Sequence, residues 1–255
     1  MSTVIFFASQ SIFTLIKNKK IIEKISKILG EEISSHPCQN SRIKQPEKSI
    51  SKENLHDGLV GRTPWHQDAG VLNKKGQAGT DLITCWIPFT KTRIKNGCML
   101  AVKNSHKFGL VNHDFGSKGQ VEVIGKERIN NLKTVALEAD VGDIILLNKY
   151  LIHCSLPNKS KNFRISMDLR FNITGQPSGR EPLPSFAVKS KNKKTLLLIP
   201  TNNGLLCGNM QKINAFLESG LINIHYQLLK ELKEICITYY RCNQSQREST
   251  QQTLS

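Results

Sequence analysis

The sequence lacks paired cysteines and long apolar runs. Its seven cysteines are odd in number and none forms a Cys-x-x-Cys pair, which argues against a disulfide framework and against a zinc ribbon. We therefore expect a reducing, cytoplasmic compartment. No apolar stretch approaches the length that spans a bilayer. The short run V-I-F-F-A near the start follows no basic residue, so we expect neither a membrane span nor a signal peptide.

Runs of like charge are also missing, although the formal net charge is +16. The excess is mostly lysine scattered along the chain, and such dispersal is typical of a solvated surface. Nucleic-acid binding therefore stays an alternative rather than the main expectation. With 255 residues, of which 38% are hydrophobic, the chain is long enough for one substantial core.

Two kinds of apolar pattern follow one another along the chain. Residues 9–29 carry apolar side chains at helical spacing, and Gly30 follows as a stop signal, so we predict one helix there. From residue 63 short apolar runs alternate with turn signals such as Asn96-Gly97. The runs are Asp81–Phe89, Cys98–Val102, Gln120–Ile124, Thr134–Glu138, Ile144–Leu147 and Arg164–Ile173. Many short strands predict a mainly β fold with flanking helices, a double-stranded β-helix or jelly roll.

The same patterns divide the chain into four expected segments. These are a helix and strand/loop lead-in (1–60), a jelly-roll core (61–185), a C-terminal helical appendage (186–242) and a disordered tail (243–255). Residues 174–194 are predicted as a Gly/Pro-rich arm. The stretch 210–240 is amphipathic, and we expect its apolar stripe to pack on the outer face of the jelly roll.

The segment Thr63–Gly70 reads T-P-W-H-Q-D-A-G and contains His66 and Asp68 one residue apart. On an extended strand these two side chains project from the same side, with Gln67 on the other. One further histidine would complete a two-His-one-carboxylate triad, which is diagnostic of non-haem Fe(II) oxygenases. The His-x-Asp pair alone is a weak signal, because it arises by chance in about one such chain in three.

The third ligand must come from another histidine, and His153 fits best. It ends a predicted apolar strand, and Ser155 lies two residues on, on the same face. A buried histidine with a structural role competes with this interpretation. His106 follows a strand and is kept as a lesser candidate. The others lie in turns, charged loops or the C-terminal helix: His36, His56, His113 and His225.

The strand R-I-S-M-D-L-R-F places an arginine on a face that should be buried. Arg164, Ser166, Asp168 and Arg170 share this face, and a buried arginine needs an anionic partner. A guanidinium suits bidentate pairing to a carboxylate. The partner is either the distal carboxylate of a 2-oxo diacid or an internal carboxylate, that of Asp168 or Asp143.

Taken in order, several segments resemble the phytanoyl-CoA dioxygenase family of Fe(II)- and 2-oxoglutarate-dependent oxygenases. They cover about residues 60–185, and the ordered set is far more specific than any one motif. The segments are T-P-W-H-Q-D-A-G, T-C-W-I-P-F-T, N-G-C-M-L-A-V-K-N-S-H-K-F-G, G-D-I-I-L-L-N-K-Y-L-I-H-C-S-L-P-N-K-S, R-I-S-M-D-L-R-F and T-G-Q-P-S-G-R.

The resemblance implies a role for each candidate residue. It implies that His66, Asp68 and His153 are iron ligands, and that Arg164 binds the distal carboxylate of 2-oxoglutarate. It also implies a co-substrate pocket lined by Ser155 and Trp86, which a family lysine matching Lys44 reaches.

The implied activity is hydroxylation of a small organic substrate, such as a CoA thioester, with Fe(II), 2-oxoglutarate and O2. Related halogenases lack the carboxylate ligand, so Asp68 favours hydroxylation. A monomer is expected. A catalytically silent jelly-roll binding protein and a basic nucleic-acid-associated oxygenase or binder stay as alternatives.

The chain departs from the family pattern in three places. Lys103-Asn104 stands where the family has Pro-Gly, the N-terminal helical region is shorter, and residues 195–255 match nothing in the family.

Overall fold

The computed structural model describes residues 10–54, 61–113, 124–125, 128–180 and 185–192. The predictions for the helix at 210–240 and the tail at 243–255 lie outside these residues, as does nearly all of the strand predicted at 120–124. The helices are α1 (Gln10–Ile16), α2 (Lys19–Leu29) and α3 (Lys74–Gly79), with 3₁₀ helices at Glu47–Ser49, Lys52–Asn54, Asp68–Val71 and Ser105–Phe108. The strands are β1 (Ile33–Ser35), β2 (Asn40–Lys44), β3 (Leu82–Pro88), β4 (Met99–Val102), β5 (Thr134–Leu137), β6 (Ile145–Asn148), β7 (His153–Ser155), β8 (Arg164–Ile173) and β9 (Phe186–Lys189).

Two helices, rather than one, occupy the described part of the helical stretch 9–29. The chain breaks before α2 because the Asn18 side chain caps that helix, accepting from the amide of Lys20 at 3.0 Å. Gly30 ends α2 with a positive φ of 86°, which a glycine adopts without steric cost. The stop at Gly30 is therefore confirmed, and the single unbroken helix is wrong.

The strands form two antiparallel sheets. The larger has the order β6-β3-β8-β1-β9, with β2 pairing along β8, and the smaller has the order β5-β4-β7. Trp86 and Leu147 from the larger sheet pack against Met99 from the smaller one, so the sheets bury their facing surfaces against each other. The mainly β jelly roll expected from the short apolar runs is confirmed.

The outer face of the larger sheet packs against α1 and α2. Leu169 and Phe171 of β8 share one core with Ile16 and Ile25 of the two helices, and all four are completely buried. We expected the stretch 210–240 to cover this face; that stretch lies outside the described residues, and within them α1 and α2 cover Leu169 and Phe171. The amphipathic pattern of α2, with its lysines outside, explains why this helix can close the sheet.

The predicted strand ending in His153 is wrong, because the chain turns before that residue. β6 ends at Asn148, whose side chain accepts from the amide of Tyr150 at 2.9 Å and so makes a local turn. His153 then begins β7, which pairs with β4 in the other sheet. The turn moves His153 from the larger sheet to the smaller one.

Two further elements were not predicted from the sequence. The Gly/Pro-rich arm at 174–194 contains β9, which pairs with β1. Helix α3 has two glycines and no apolar stripe, and it forms because Asn73 caps it by accepting from the amide of Gly76 at 2.9 Å. Among the described residues, no helix combines the length and apolar character needed to cross a membrane.

Candidate metal and co-substrate site

The segment 63–70 does not form one continuous strand, so strand alternation is not what brings His66 and Asp68 together. His66 forms an isolated β-bridge with His153, in which each backbone amide donates to the other's carbonyl at 2.9 and 3.0 Å. After Gln67 the chain enters the 3₁₀ helix that begins at Asp68. The bridge and the turn together bring the His66, Asp68 and His153 ligand atoms within 4.8 Å of one another, and all three residues are buried.

Both histidines present the same ring nitrogen to this cluster. His66 Nδ1 lies 2.8 Å from the carbonyl of Pro64, and His153 Nδ1 lies 2.9 Å from that of Leu151. A carbonyl oxygen only accepts, so each Nδ1 is the donor in this contact, and Nε2 is the ring nitrogen left for a metal ion. Burial, followed by the charge of His153, lowers the pKa of His66 to about 3. His66 is therefore neutral, as a metal ligand must be.

Two side chains of the larger sheet hold the Asp68 carboxylate. Thr84 Oγ1 donates to Oδ2 and Arg170 Nη2 donates to Oδ1, both at 2.6 Å. Arg170 is itself oriented by a contact of its Nε with Thr84 Oγ1 at 3.2 Å. Burial would raise the pKa of Asp68, but the Arg170 guanidinium, the two histidines and the Thr84 hydrogen bond together outweigh burial and hold the pKa well below its usual range. Asp68 is therefore an oriented carboxylate.

Sequence reasoning gave no role to Thr84 or Arg170. They are direct cross-strand partners on β3 and β8, and a pairing register between distant strands is absent from either strand's own pattern. The only available signal was the alternation on β8, which places Arg170 on the same face as Arg164.

Gln67, between the two candidate ligands, ties three parts of the chain together. Its completely buried side chain donates to the carbonyls of Gly109 at 2.8 Å and Tyr150 at 2.6 Å, and accepts from the amide of Val111 at 2.9 Å. The backbone amide of Gln67 donates to His113 Nε2 at 3.0 Å. Gln67 thus fixes the backbone on which both ligands stand.

The His113 ring also explains the glycine that ends the motif. A Cβ atom at Gly70 would lie 2.7 Å from His113 Nε2, a distance at which the ring or the loop would have to shift. From the sequence, His113 was expected in a charged loop and without a role in the site. His106, the lesser candidate ligand, is exposed on its 3₁₀ helix and does not line the pocket.

Arg164 is buried and has no acidic partner among the described residues. Its side chain is 1% exposed, Nη1 donates to Ser166 Oγ at 2.5 Å, and the guanidinium carbon lies 5.5 Å from the centre of the Trp86 ring. Its Nε is buried without a hydrogen-bond partner in the structure. Burial and then the charge of Arg42 lower the pKa of Arg164 to about 10, so the group is still a cation at neutral pH.

The internal carboxylates that competed as partners of Arg164 are bound elsewhere. Asp168 Oδ2 accepts from Arg42 Nε at 2.8 Å, and Asp143 accepts from the backbone amide of Asp140 at 2.8 Å. Within the described ranges, no carboxylate forms an ion pair with Arg164. A buried, unpaired guanidinium is costly, and this position therefore suits an anionic ligand.

Lys44 lies directly behind Ser155. Its Nζ donates to Ser155 Oγ and to the carbonyl of Leu156, both at 2.7 Å. Burial, followed by the charge of Arg164, lowers the pKa of Lys44 to about 6. The lysine stem passes so close to Gly97, where φ is 85°, that a Cβ there would lie 2.6 Å from Lys44 Cδ. A glycine is therefore required beside this lysine.

One pocket between the sheets joins these groups. The candidate ligands, Arg164, Ser155 and Trp86 all line it, and Lys44 stands behind Ser155 rather than on the wall. Two imidazoles and one carboxylate are a donor set that suits Fe(II). The residues present thus fit a ferrous ion at one part of the pocket and an anion at Arg164.

Comparison with known proteins supports the same family. The family model described as phytanoyl-CoA dioxygenase (PhyH) matches residues 7–166. A phytanoyl-CoA dioxygenase domain-containing protein 1 homolog of Dictyostelium discoideum is 32% identical over 122 residues, which are 44% of this chain and 41% of that protein. The chain thus spans less than half the length of this relative.

Solved structures share the fold at low sequence identity. A non-heme monooxygenase, ThoJ in its apo form, has a TM-score of 0.56 and 20% identity, covering 74% of this chain and 65% of that one. The epimerase SnoN, in complex with Fe3+, alpha ketoglutarate and nogalamycin RO, has a TM-score of 0.52 and 17% identity, covering 69% and 64%. At these identities the likeness establishes the jelly-roll fold.

Proposed function

Because the chain belongs to the phytanoyl-CoA dioxygenase family, we propose that it is an Fe(II)- and 2-oxoglutarate-dependent dioxygenase that hydroxylates an organic substrate. One observation carries the proposal. A single buried pocket contains the triad His66, Asp68 and His153 together with a guanidinium, Arg164, that has no carboxylate partner among the described residues. A His-Asp-His triad alone would be compatible with many classes of metalloprotein. A buried guanidinium in the same pocket favours an oxygenase with an anionic co-substrate.

Each part of the pocket has a task in this reaction. The triad would hold the ferrous ion, whose chemistry when bound is the activation of dioxygen. Arg164 would pair with the distal carboxylate of 2-oxoglutarate, and Trp86 and Ser155 would flank the co-substrate. The overall reaction consumes 2-oxoglutarate, O2 and a substrate C–H bond, and yields succinate, CO2 and the hydroxylated product.

The electrostatics of the pocket favour a dianionic co-substrate. Arg164 is desolvated in advance, so an incoming carboxylate meets a cation with little competing water. Lys44 stands behind Ser155 with a pKa of about 6, and a bound anion next to it would favour its charged form. Both groups bind and orient, and neither needs to react.

The substrate, the compartment and the oligomeric state are the open parts of the proposal. We propose a small organic substrate, with CoA thioesters as the first class to test because the relatives' names contain them. We further propose a monomer in a reducing, cytoplasmic setting, which the four free cysteines of the described chain support. The division into core and appendage stays a prediction.

The test is conversion of 2-oxoglutarate to succinate by purified protein with Fe(II), O2 and no added substrate. Slow, iron-dependent succinate formation that is lost in His153→Ala is the expected result. Binding of 2-oxoglutarate without turnover in any substrate screen would indicate a silent binding protein. Salt-sensitive RNA or DNA binding together with no 2-oxoglutarate binding would favour the nucleic-acid alternative.

A further inference from the structure

A second ion pair stands on the wall of the same pocket. Arg42 of β2 and Asp168 of β8 both line the pocket, and Arg42 Nε donates to Asp168 Oδ2 at 2.8 Å. Their side chains are only 16% and 5% exposed. The hydrogen bonds described for Asp68, Lys44 and Ser155 involve neither Arg42 nor Asp168.

Asp168 is an unexpected residue beside an anion site. It lies on the same face of β8 as Arg164, and its charge is felt by the Arg164 guanidinium, as is that of Arg42. Its second oxygen, Oδ1, is buried without a hydrogen-bond partner in the structure, as is Arg164 Nε. A carboxylate here would repel an anionic co-substrate and would compete for the same guanidinium.

The pairing register between β2 and β8 explains why Asp168 neither repels the co-substrate nor binds Arg164. Arg42 is the cross-strand partner of Ser166, and Asp168 is the next residue of β8 on that face, within reach of the long arginine side chain. Arg42 engages Asp168 from the β2 side. Arg164, whose own partner on β2 is Lys44, contacts Ser166 instead.

We propose that Arg42 is a positioning residue for the co-substrate, which acts through Asp168. By pairing with Asp168 it cancels a carboxylate charge inside the pocket and keeps that carboxylate from Arg164, so that the Arg164 guanidinium stays open to an anion. This inference rests on the proposed function, because it takes 2-oxoglutarate as the anion.

The test is a double-mutant cycle read by calorimetric titration of 2-oxoglutarate into the Mn(II)-loaded full chain. Arg42→Met should weaken 2-oxoglutarate binding by on the order of tenfold. Asp168→Asn alone should not weaken it, and Arg42→Met combined with Asp168→Asn should regain most of the loss. Arg42→Lys, which keeps the charge, should lie close to the wild type.

A matched control uses the ion pair of Arg93 and Asp140, which joins the same residue types outside the pocket at 2.7 Å. Arg93→Met removes the same charge from the chain and should leave 2-oxoglutarate affinity unchanged. Mn(II) affinity measured before 2-oxoglutarate is added reports whether Arg42→Met still has an intact triad. Crystals of ligand-free Arg42→Met should show Asp168 turned toward Arg164.

The outcomes separate this inference from the proposed function. A wild-type protein that does not bind 2-oxoglutarate overturns both. If the wild type binds and the double variant stays as weak as Arg42→Met, Arg42 contacts the anion itself and the inference is wrong. Wild-type affinity in Arg42→Met would also overturn it. The proposed function would survive either of these last two results.

Discussion

Three arginines line the pocket, and only two of them pair with a carboxylate in the described part of the chain. Arg170 binds the candidate ligand Asp68, Arg42 binds Asp168, and Arg164 has no carboxylate in the described part of the chain. Three arginines and two aspartates in one pocket could form ion pairs in several combinations. The cross-strand registers decide which combination occurs. The chemistry of the pocket depends on this sorting.

The two side chains that bind the Asp68 carboxylate, Thr84 and Arg170, give a first prediction. Thr84→Val removes the hydroxyl that donates to the Asp68 carboxylate, and Arg170→Lys keeps the charge but loses the planar guanidinium. We expect each to weaken Mn(II) binding by about 10- to 100-fold, because groups that orient a metal ligand have effects of that size. Calorimetry on the metal-free protein is the measurement, with Arg93→Met as the control. Unchanged affinity in both variants would mean that Asp68 needs no orientation.

Arg164 gives a second prediction. Arg164→Lys should weaken 2-oxoglutarate binding by about 2 kcal/mol, or roughly thirtyfold, because a lysine cannot make two parallel hydrogen bonds to one carboxylate. Metal affinity should change far less. Calorimetric titration of Mn(II) and then of 2-oxoglutarate into the same protein measures both dissociation constants. Equal co-substrate affinity in variant and wild type would contradict the assignment.

At the scale of residues, the sequence was enough to predict the candidate ligands and the anion-binding arginine. It did not predict the side chains that hold them in place. The one-residue spacing of His66 and Asp68 and the alternation on β8 were enough to select the candidate residues that the structure brings together. Thr84 and Gln67 were missed because an ordinary threonine or glutamine carries no chemical signature. Their importance comes from where distant chain segments approach them.

At the scale of elements, α1 and α2 decide whether the larger sheet is covered. Ile25 of α2 is completely buried and Ile28, one turn on, is 55% exposed. Ile25→Ala should lower the free energy of unfolding by about 3 kcal/mol through lost burial and the cavity left behind. Ile28→Ala, the control on the same helix, should change it by less than about 0.5 kcal/mol. Urea unfolding measures both, and similar values for the two variants would contradict the packing described for α2.

The elements were predictable where a pattern is long and local. The ten-residue strand β8 was predicted with its bounds, Arg164–Ile173. The break at Asn18 and the turn at Asn148 were missed, because in each case one side-chain cap overrides an apolar pattern that continues across it. That single turn also decides on which sheet His153 stands.

For the whole molecule, buried neutral histidines predict loss of stability in acid. His36 Nε2 donates to the carbonyl of Ser178 at 2.7 Å and Nδ1 accepts from the amide of Cys38 at 3.1 Å. Burial lowers the pKa of His36 to about 4. Between the ordinary value of about 6.5 and this one, the unfolded chain binds more protons than the folded chain.

The free energy of unfolding should therefore fall as the pH drops from about 6.5 to about 4, by up to about 1.4 kcal/mol per unit for this histidine. His36→Gln should flatten that part of the pH dependence, although it lowers stability at neutral pH by removing two hydrogen bonds. His106→Gln, at an exposed site, is the control. Urea unfolding from pH 7 to pH 4.5 measures the slope, and an equally steep slope in His36→Gln would contradict the assignment.

The most direct test of the account is anaerobic iron stoichiometry. Equilibrium dialysis of Fe(II) against the wild type should give one iron per chain, since the three ligands form one site. His66→Ala, Asp68→Ala and His153→Ala should each lose tight binding, while circular dichroism confirms that they are folded. Retention of one tightly bound iron in all three variants would contradict the metal site and the function proposed from it.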